Sequence, residues 1–494
     1  MTRTLTGNRG LQIEELLIFE QDKPGRTGVD LPEPKFPTND RLGGMRRSGP
    51  VGLPGLSEPE VVRHYTRLSQ KNYGIDSGFY PLGSCTMKHN PRLNEKMARL
   101  PGFSDVHPFQ PVSTVQGALE MMETIAHWLT TLTGMDSVAL SPAAGAHGEL
   151  CGLMAIRAAH EAKGNARLKV LVPESAHGTN PSTASLCGYA VESVPATALG
   201  RVDMDALKAK LNGDVAAVMI TNPNTCGLFE SDIVEIAKAV HAAGAFVYMD
   251  GANFNAIVGR VSIAALGVDA MHINLHKTFS TPHGGGGPGA GPTVFSPALT
   301  AFAPLPRIVR VQDKLELVEH GTQAFGRMKG YHGQFGVMVR ALAYMLSLGG
   351  DGLAQASGDA VLSANYLRAR LKNTLSVSFD SVCMHEVLFD DRFLKDTGVT
   401  TLDFAKALID EGFHPMTMYF PLVVHGALLM EPTETESKAE LDRFIAVVEY
   451  LATLAQSGKV EHFKESPRLT PRRRLDETLA ARQPILSWSP PDAV

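Results

Sequence analysis

The chain has 494 residues, 46 of them Lys or Arg and 51 Asp or Glu, giving a formal charge of −5; 44% are hydrophobic and 20% charged. This is ordinary globular composition with enough material for several domains, and the absence of a basic block excludes a nucleic-acid footprint and a polybasic membrane surface. The longest apolar stretch, 417–430, is too short to span a bilayer and is broken by Pro421, His425 and Gly426.

Taken in chain order, the N-terminus shows no signal-type apolar run, and residues 1–110 are irregular and rich in Pro and Gly (PEPKFP, GPVGLPGLSEPE, YPLGSCTMKHNP). One periodic stretch, Glu58 to Gln70, predicts a helix entered at Ser57 with Pro59 just inside it. The many apolar residues argue against disorder and for a segment that wraps a larger body or a partner chain.

From about 115 the pattern becomes repeated β-α-β. Leu119, Met122, Ile125, Ala126, Leu129 and Leu132 trace one helical face, ended by Gly134. Then come a strand at Val138 to Leu140, the small-residue turn SPAAGAHGE, and a helix from about Leu150 to Ala162. A strand KVLVP, the loop ESAHGTNPST and a strand AVESV follow. The helix Asp203 to Leu211 precedes the buried strand VAAVMI and the loop TNPNTCG. A helix from Ser231 to Ala243, the strand AFVYMD, and MHINL running into His276-Lys277 complete the series. Such alternation predicts a mostly parallel sheet sandwiched by helices, with ligands bound at the C-terminal ends of its strands. Long helices over 330–375, then strands and helices to about 455, predict a smaller α+β domain. The expected organisation is 1–110 wrapping segment, 111–330 large α/β domain, 331–455 small C-terminal α+β domain and 456–494 tail.

Glycine is the unusual component: 47 residues, densest in HKTFSTPHGGGGPGAGP after Lys277. A lysine at a strand end among apolar residues and glycines is desolvated, which favours the neutral, nucleophilic amine; a lone lysine is ordinarily a surface residue, but His276, Thr278 and the glycines tip the balance. Thr278 offers a hydroxyl, and glycines let backbone N–H groups approach a phosphate. Asp250 ends the strand AFVYMD and needs a partner such as a pyridinium nitrogen, unless it is merely a turn residue before Gly251. The turn Ala143 to Gly148 opens a helix and suits a phosphate, with His147 placed to stack on a ring or simply to cap. His177 is a candidate for proton transfer and Asn224 for a hydrogen bond to a phenolic oxygen. No H-E-x-x-H or G-x-S-x-G occurs, so neither a metal site nor a serine hydrolase is expected. Five scattered cysteines without C-x-x-C point to a reducing, cytoplasmic setting, and Cys85 is read as an inert thiol near the site.

The order of phosphate turn, strand-end Asp and then strand-end Lys fits pyridoxal phosphate enzymes of the aspartate-aminotransferase fold type, fold type I. The strings GFYPLGSCTMKHNPRLNE, AAGAHGE, ESAHGTNPSTA, TNPNTCGLFE, YMDGANFNAI, NLHKTFSTPHGGGGPGAGP and MEPTETESKAELDRF, spread over about 75–445, closely resemble the P-protein family of the glycine cleavage system, glycine dehydrogenase (decarboxylating). The length resembles subunit 2 of its two-chain form.

That resemblance implies that Lys277 forms the internal aldimine with pyridoxal 5'-phosphate, and that Asp250 pairs with the ring nitrogen. It places His147 on the ring face, Gly145 and Ala146 at the phosphate, and Ala252, His276 and Thr278 around the cofactor. It further implies glycine as substrate, loss of CO₂, and transfer of the aminomethyl group to the lipoyl arm of the H-protein. The implied partner is a homologous subunit 1 lacking the lysine, two copies of each chain. Another fold type I pyridoxal phosphate enzyme, or a non-catalytic scaffold subunit, are the alternatives; no arginine is nominated for the substrate carboxylate.

Overall fold

The computed structural model describes residues 15–489 apart from 24, 29–31, 37–38, 40, 50, 284–287 and 322. The four consecutive glycines expected to line the site after His283 are therefore outside the described residues.

The short apolar runs pair into one seven-stranded sheet ordered β1-β7-β6-β5-β4-β2-β3. Its strands are β1 (Ser137–Ala139), β2 (Lys169–Pro173), β3 (Ala190–Val194), β4 (Val215–Thr221), β5 (Phe246–Gly251), β6 (Ala270–Ile273) and β7 (Thr293–Phe295). Pairings from β3 through β6 are parallel, while β7 runs antiparallel to β6 and β1. Every residue of β4, β5 and β6 is buried, as a sheet covered on both faces requires. Alternate side chains enter opposite cores: Val218, Ile220, Val247 and Met249 face one, Ala217, Met219, Phe246 and Tyr248 the other. Register sets Asp250 of β5 between Thr221 of β4 and His272 of β6. Three strand ends thus converge on one crevice.

Three features differ from the sequence expectation. The helix expected from about Leu150 begins at Gly145, so the small-residue turn is its first turn. ESAHGTNPST is not all loop, because a helix Thr179–Leu186 starts within it. Pro181 falls in that helix's first turn, where its missing N–H costs nothing. The stretch after β7 holds a hairpin, β8 (Arg307–Val311) and β9 (Lys314–Val318).

The second sheet is antiparallel: β10 (Ser376–Val377), β11 (Val387–Asp390), β12 (Thr417–Met418) and β13 (Leu428–Met430), ordered β10-β11-β13-β12. Helices Thr401–Asp410 and Lys438–Gln456 close its core around Phe389, Phe404, Phe444 and Phe463. The expected boundary near 330 falls just before helix Phe335–Leu371, which serves both bodies: Val337 to Leu353 pack in the large core, Ala364 to Leu371 in the small one. The helix is kinked at Gly349, whose φ of 67° and ψ of −179° no L side chain adopts comfortably.

The N-terminal segment laces these bodies together. Phe79 packs edge-on against Phe444, Leu82 bridges Met430, and Lys88 crosses to the large domain. Among the described residues no helix is long and apolar enough to cross a membrane.

Candidate active site

Asp250 is 2% exposed, and its carboxylate is held from three sides. The Ala252 N–H donates to Oδ1 (2.9 Å), the Asn180 amide donates to Oδ2 (3.0 Å), and His272 Nε2 lies 3.4 Å from Oδ1. Burial alone would push this carboxyl up, but His272, His177 and the two donors outweigh it and hold it below its usual range. Beside it, Glu149 is pushed up by burial and by the Asp250 charge; the Asn180 amide bridges the two. His272 is fixed by Tyr248 Oη at 2.6 Å and by the Asn274 amide at 2.9 Å, which also reaches His276 Nε2 at 3.2 Å.

Lys277 stands on a single helical turn, Leu275–Thr278, immediately past β6, rather than on the strand end itself. It is 9% exposed, and its Nζ donates to the carbonyl of Ser84 at 2.9 Å. The next residue, Thr278, has a buried hydroxyl with no partner, as do Ser280 and Thr281. Lys88, itself buried, donates to the Thr278 carbonyl (2.8 Å) and to Glu434 (2.6 Å), which keeps this turn tied to the N-terminal segment. His276 accepts from the Ala290 N–H, and burial with neighbouring His283 and Lys277 lowers it to about 3, so the ring is neutral.

Glycines let the first turn of helix Gly145–Ala162 press onto this crevice. A Cβ on Gly145 would lie 2.5 Å from the Asn274 amide, and one on Gly291 would lie 2.1 Å from the Ala144 carbonyl. Ala146 is exposed in that turn, whose leading N–H groups have no helical partner.

Two of the expected residues are engaged within their own turns. The His147 Nδ1 accepts from the Ala143 N–H, with Met328 and Lys329 beside the ring. The imidazole beside both Asp250 and Lys277 is His177, stacked on Phe420 (5.0 Å, 18°) with Nε2 buried and unpartnered; burial holds it neutral despite Asp250. Asn224 is spent within its own loop, donating to the Gly200 carbonyl and Glu230 and accepting from the Cys226 and Leu228 N–H groups. Two residues earlier, Asn222 accepts from the Glu230 N–H but leaves its buried NH₂ group unpartnered. The signal was present in the same TNPN string, since Asn222 directly follows the strand and Asn224 does not.

The small domain adds a wall that sequence reasoning missed. His385, Glu386 and Glu431, fully buried at the ends of β11 and β13, each offer an atom within 4.8 Å of the others. Cys85 Sγ lies 3.6 Å from His283 Nδ1, and burial pushes this thiol up, as expected of an inert cysteine.

A doubly covered parallel sheet, a lysine one turn beyond it and a small C-terminal domain place the chain in fold type I of the pyridoxal phosphate enzymes, and the class-V aminotransferase family model matches residues 152–286. Solved structures share this fold: a glycine decarboxylase (P-protein) of the glycine cleavage system in inhibitor-bound form has a TM-score of 0.71 at 20% identity, covering 83% of this chain and 93% of that one. A sphingosine-1-phosphate lyase of Burkholderia pseudomallei gives 0.64 at 13% identity, covering 86% and 96%.

The chain belongs to the glycine dehydrogenase (decarboxylating) subunit 2 family. A protein of Caulobacter vibrioides named "Probable glycine dehydrogenase (decarboxylating) subunit 2" is 66% identical over 494 residues, 99% of this chain and 94% of its own. A relative of the same name from Caldanaerobacter subterraneus subsp. tengcongensis is 51% identical over 478 residues, covering 96% and 98%. The family model "Glycine dehydrogenase, C-terminal domain" matches residues 356–467.

Proposed function

We propose that this chain is the lysine-bearing subunit of a two-subunit glycine dehydrogenase (decarboxylating), using pyridoxal phosphate to remove CO₂ from glycine and passing the aminomethyl group to the lipoyl arm of an H-protein. The observation that carries it is the pairing, in one crevice of a chain of this family, of buried Lys277 with buried, ionised Asp250. Such a carboxylate, with no Lys or Arg paired to it among the described residues and His272 at 3.4 Å, suits a protonated ring nitrogen.

The residues present fit the cofactor. Thr278 Oγ1, Asn222 Nδ2 and His177 Nε2 are buried and unpartnered, and each would gain a partner from a polar aromatic ring with a phosphate. The cradle at Gly145 and Gly291 has no room for a Cβ. Pyridoxal phosphate, when bound, supplies an electron sink for the bond to the departing carboxylate. Lys277 would hold it covalently, Asp250 would keep its nitrogen protonated, the Gly145-Ala146 turn and Thr278 would take its phosphate, and His177 and Asn222 would bear on its ring. Ala252 fixes Asp250 through its N–H, and His276, held neutral, spares Lys277 a second cation nearby. In this reading the partners are the homologous subunit 1, with two copies of each chain, and the lipoylated H-protein, and the complex works in the cytoplasm.

Lys277→Ala, purified with the partner subunit, is expected to keep its fold and lose turnover by several orders of magnitude. Borohydride reduction and peptide mapping of the unsubstituted chain should place a pyridoxyl group on Lys277. Absence of glycine-dependent exchange of labelled CO₂ with partner and H-protein present would count against glycine and favour another fold type I reaction.

A further inference from the structure

Glu386 and Glu431 are both 0% exposed, and burying two carboxylates together is costly unless something neutralises them. They are not left over from packing, because one short piece of the N-terminal segment ties both to Lys277. Ser84 accepts from Lys277 Nζ on its carbonyl (2.9 Å) and donates its N–H to Glu386 Oε2 (2.7 Å). Two residues on, Thr86 donates its hydroxyl to Glu431 Oε1 (2.5 Å). Ser84 is held at a φ of 61°, unusual for a residue with a side chain. The second oxygens, Glu386 Oε1 and Glu431 Oε2, are buried without any hydrogen-bond partner, as are both ring nitrogens of His385. Unsatisfied acceptors of this kind, converging beside an amine, point to a ligand that brings N–H donors.

We propose that Glu386 and Glu431 form a proton-sharing pair that receives the ammonium group of an incoming amino acid, takes its proton, and returns that proton to Lys277 as the lysine is displaced. This rests on Lys277 being the cofactor-bearing residue.

Charge balance supports it. Burial pushes Glu431 up to about 7, and burial with the Glu431 charge pushes Glu386 well above the usual carboxylate range, so at neutral pH the pair keeps at least one proton and carries no more than one negative charge. The surrounding groups leave that charge for Lys277 or a substrate ammonium. His385 is driven to about 3 by burial and is neutral, Lys88 is matched by Glu434, and the thiols of Cys85, Cys226 and Cys383 are all pushed up by burial. An amino acid arrives as R–NH₃⁺, whose nitrogen is not nucleophilic. Loss of one proton to the pair gives R–NH₂ and a neutral pair. As the new C–N bond forms and the bond to Lys277 breaks, the lysine leaves as an amine and takes the proton back. No atom changes oxidation state, and the pocket carries no uncompensated charge at either end.

The test uses Glu431→Gln and Glu386→Gln, which keep shape and the hydrogen bonds from Thr86 and Ser84. In the cofactor-free complex with the partner subunit, infrared spectroscopy at pH 7 is expected to show a neutral carboxylic acid band that both substitutions remove. In the cofactor-loaded complex, stopped-flow absorbance on mixing with glycine is expected to show displacement of Lys277 slowed at least about tenfold, with the dependence between pH 6 and 8 flattened. A merely structural pair would alter stability and leave that pH profile in place. Absence of the carboxylic acid band, or displacement rates within about twofold of the unsubstituted chain across the pH range, would overturn the proposal. Failure of Lys277 to take up pyridoxal phosphate would instead overturn the cofactor reading, and the infrared band would still decide the pair.

Discussion

His276 and His385 show how much of this site is decided by the loss of water from single side chains. Both rings are lowered to about 3, first by burial and then by the positive charge of neighbours that include Lys277. An unfolded histidine binds a proton near 6.5, so between pH 6.5 and 3 the unfolded chain holds protons that the folded one refuses, and stability falls as pH falls through that window. Glu431 has the opposite sense: raised to about 7, it contributes stability fully below its unfolded value of about 4.5 and loses it as pH rises through 7. Replacing His385 by Leu should remove one linked proton, reducing the slope of unfolding free energy between pH 4 and 6 by about 1.4 kcal/mol per pH unit. Denaturant titrations of both chains at several pH values in that range provide the measurement, and parallel slopes would refute the neutral ring. Asp250 and Lys277 are legible in the sequence because Asp250 closes an apolar strand and Lys277 follows the next one by a single helical turn. Asn222 directly follows β4 and Asn224 does not, and that position is the one signal in TNPN separating an open amide from one consumed by its own turn.

At the scale of elements, glycine sets distances and angles that other residues would spoil. Gly148 and Gly152 let helix Gly145–Ala162 lie on the sheet; a Cβ on Gly152 would meet the Tyr248 ring at 2.4 Å, and Tyr248 is what fixes His272 beside Asp250. Gly349 acts through its backbone instead, since no atom lies within 4 Å of the position a Cβ would take. Gly349→Ala is therefore expected to cost about 1–3 kcal/mol of stability from strain alone. It should also turn the second half of the helix, and the small domain packed on it, relative to Lys277. Urea unfolding measures the first effect, and a change in glycine KM larger than the change in kcat would report the second; unaltered stability would show that the kink tolerates a side chain. Gly349 was legible as the end of an apolar helical run, but that a new helix begins at once was not. Hairpin β8–β9 is obscured because RIVRV does not alternate, although KLELV does, and helix Thr179–Leu186 because Asn-Pro reads as loop punctuation.

Over the whole molecule, the crevice is built by three regions far apart in sequence: strand ends of the large sheet, Ser84 to Lys88 of the N-terminal segment, and the ends of β11 and β13. The first was readable because βαβ order carries its own geometry. Glu386 and Glu431 were not, because their juxtaposition depends on the 302-residue separation between Ser84 and Glu386 being closed by folding. The one local hint was that Glu431 ends the apolar run ALLM just as Asp250 ends AFVYMD.

The same scale governs association. The C-terminal tail is pinned where Arg474 pairs with Asp403 (2.8 Å) and donates to the Ser466 and Phe463 carbonyls. Beyond that anchor it displays Leu475, Leu479, Ile485 and Leu486, the last two over 90% exposed, and Trp488 stacked on Phe19. Phe36, Met45 and Leu53 of the N-terminal segment are similarly bare. So many large apolar side chains on polar, irregular segments are expensive in water and are retained where another surface covers them. For a family named as one of two subunits, the other subunit is the expected covering surface. Ending the protein at Arg474 keeps every anchor named above and removes the apolar tail. The truncated chain should fold and load its lysine as before, yet bind the homologous subunit at least about tenfold more weakly, a loss of about 1.4 kcal/mol or more. Sedimentation of the two chains mixed at micromolar concentration separates the outcomes, and undiminished complex formation would mean that the tail covers nothing and the N-terminal segment carries the contact by itself.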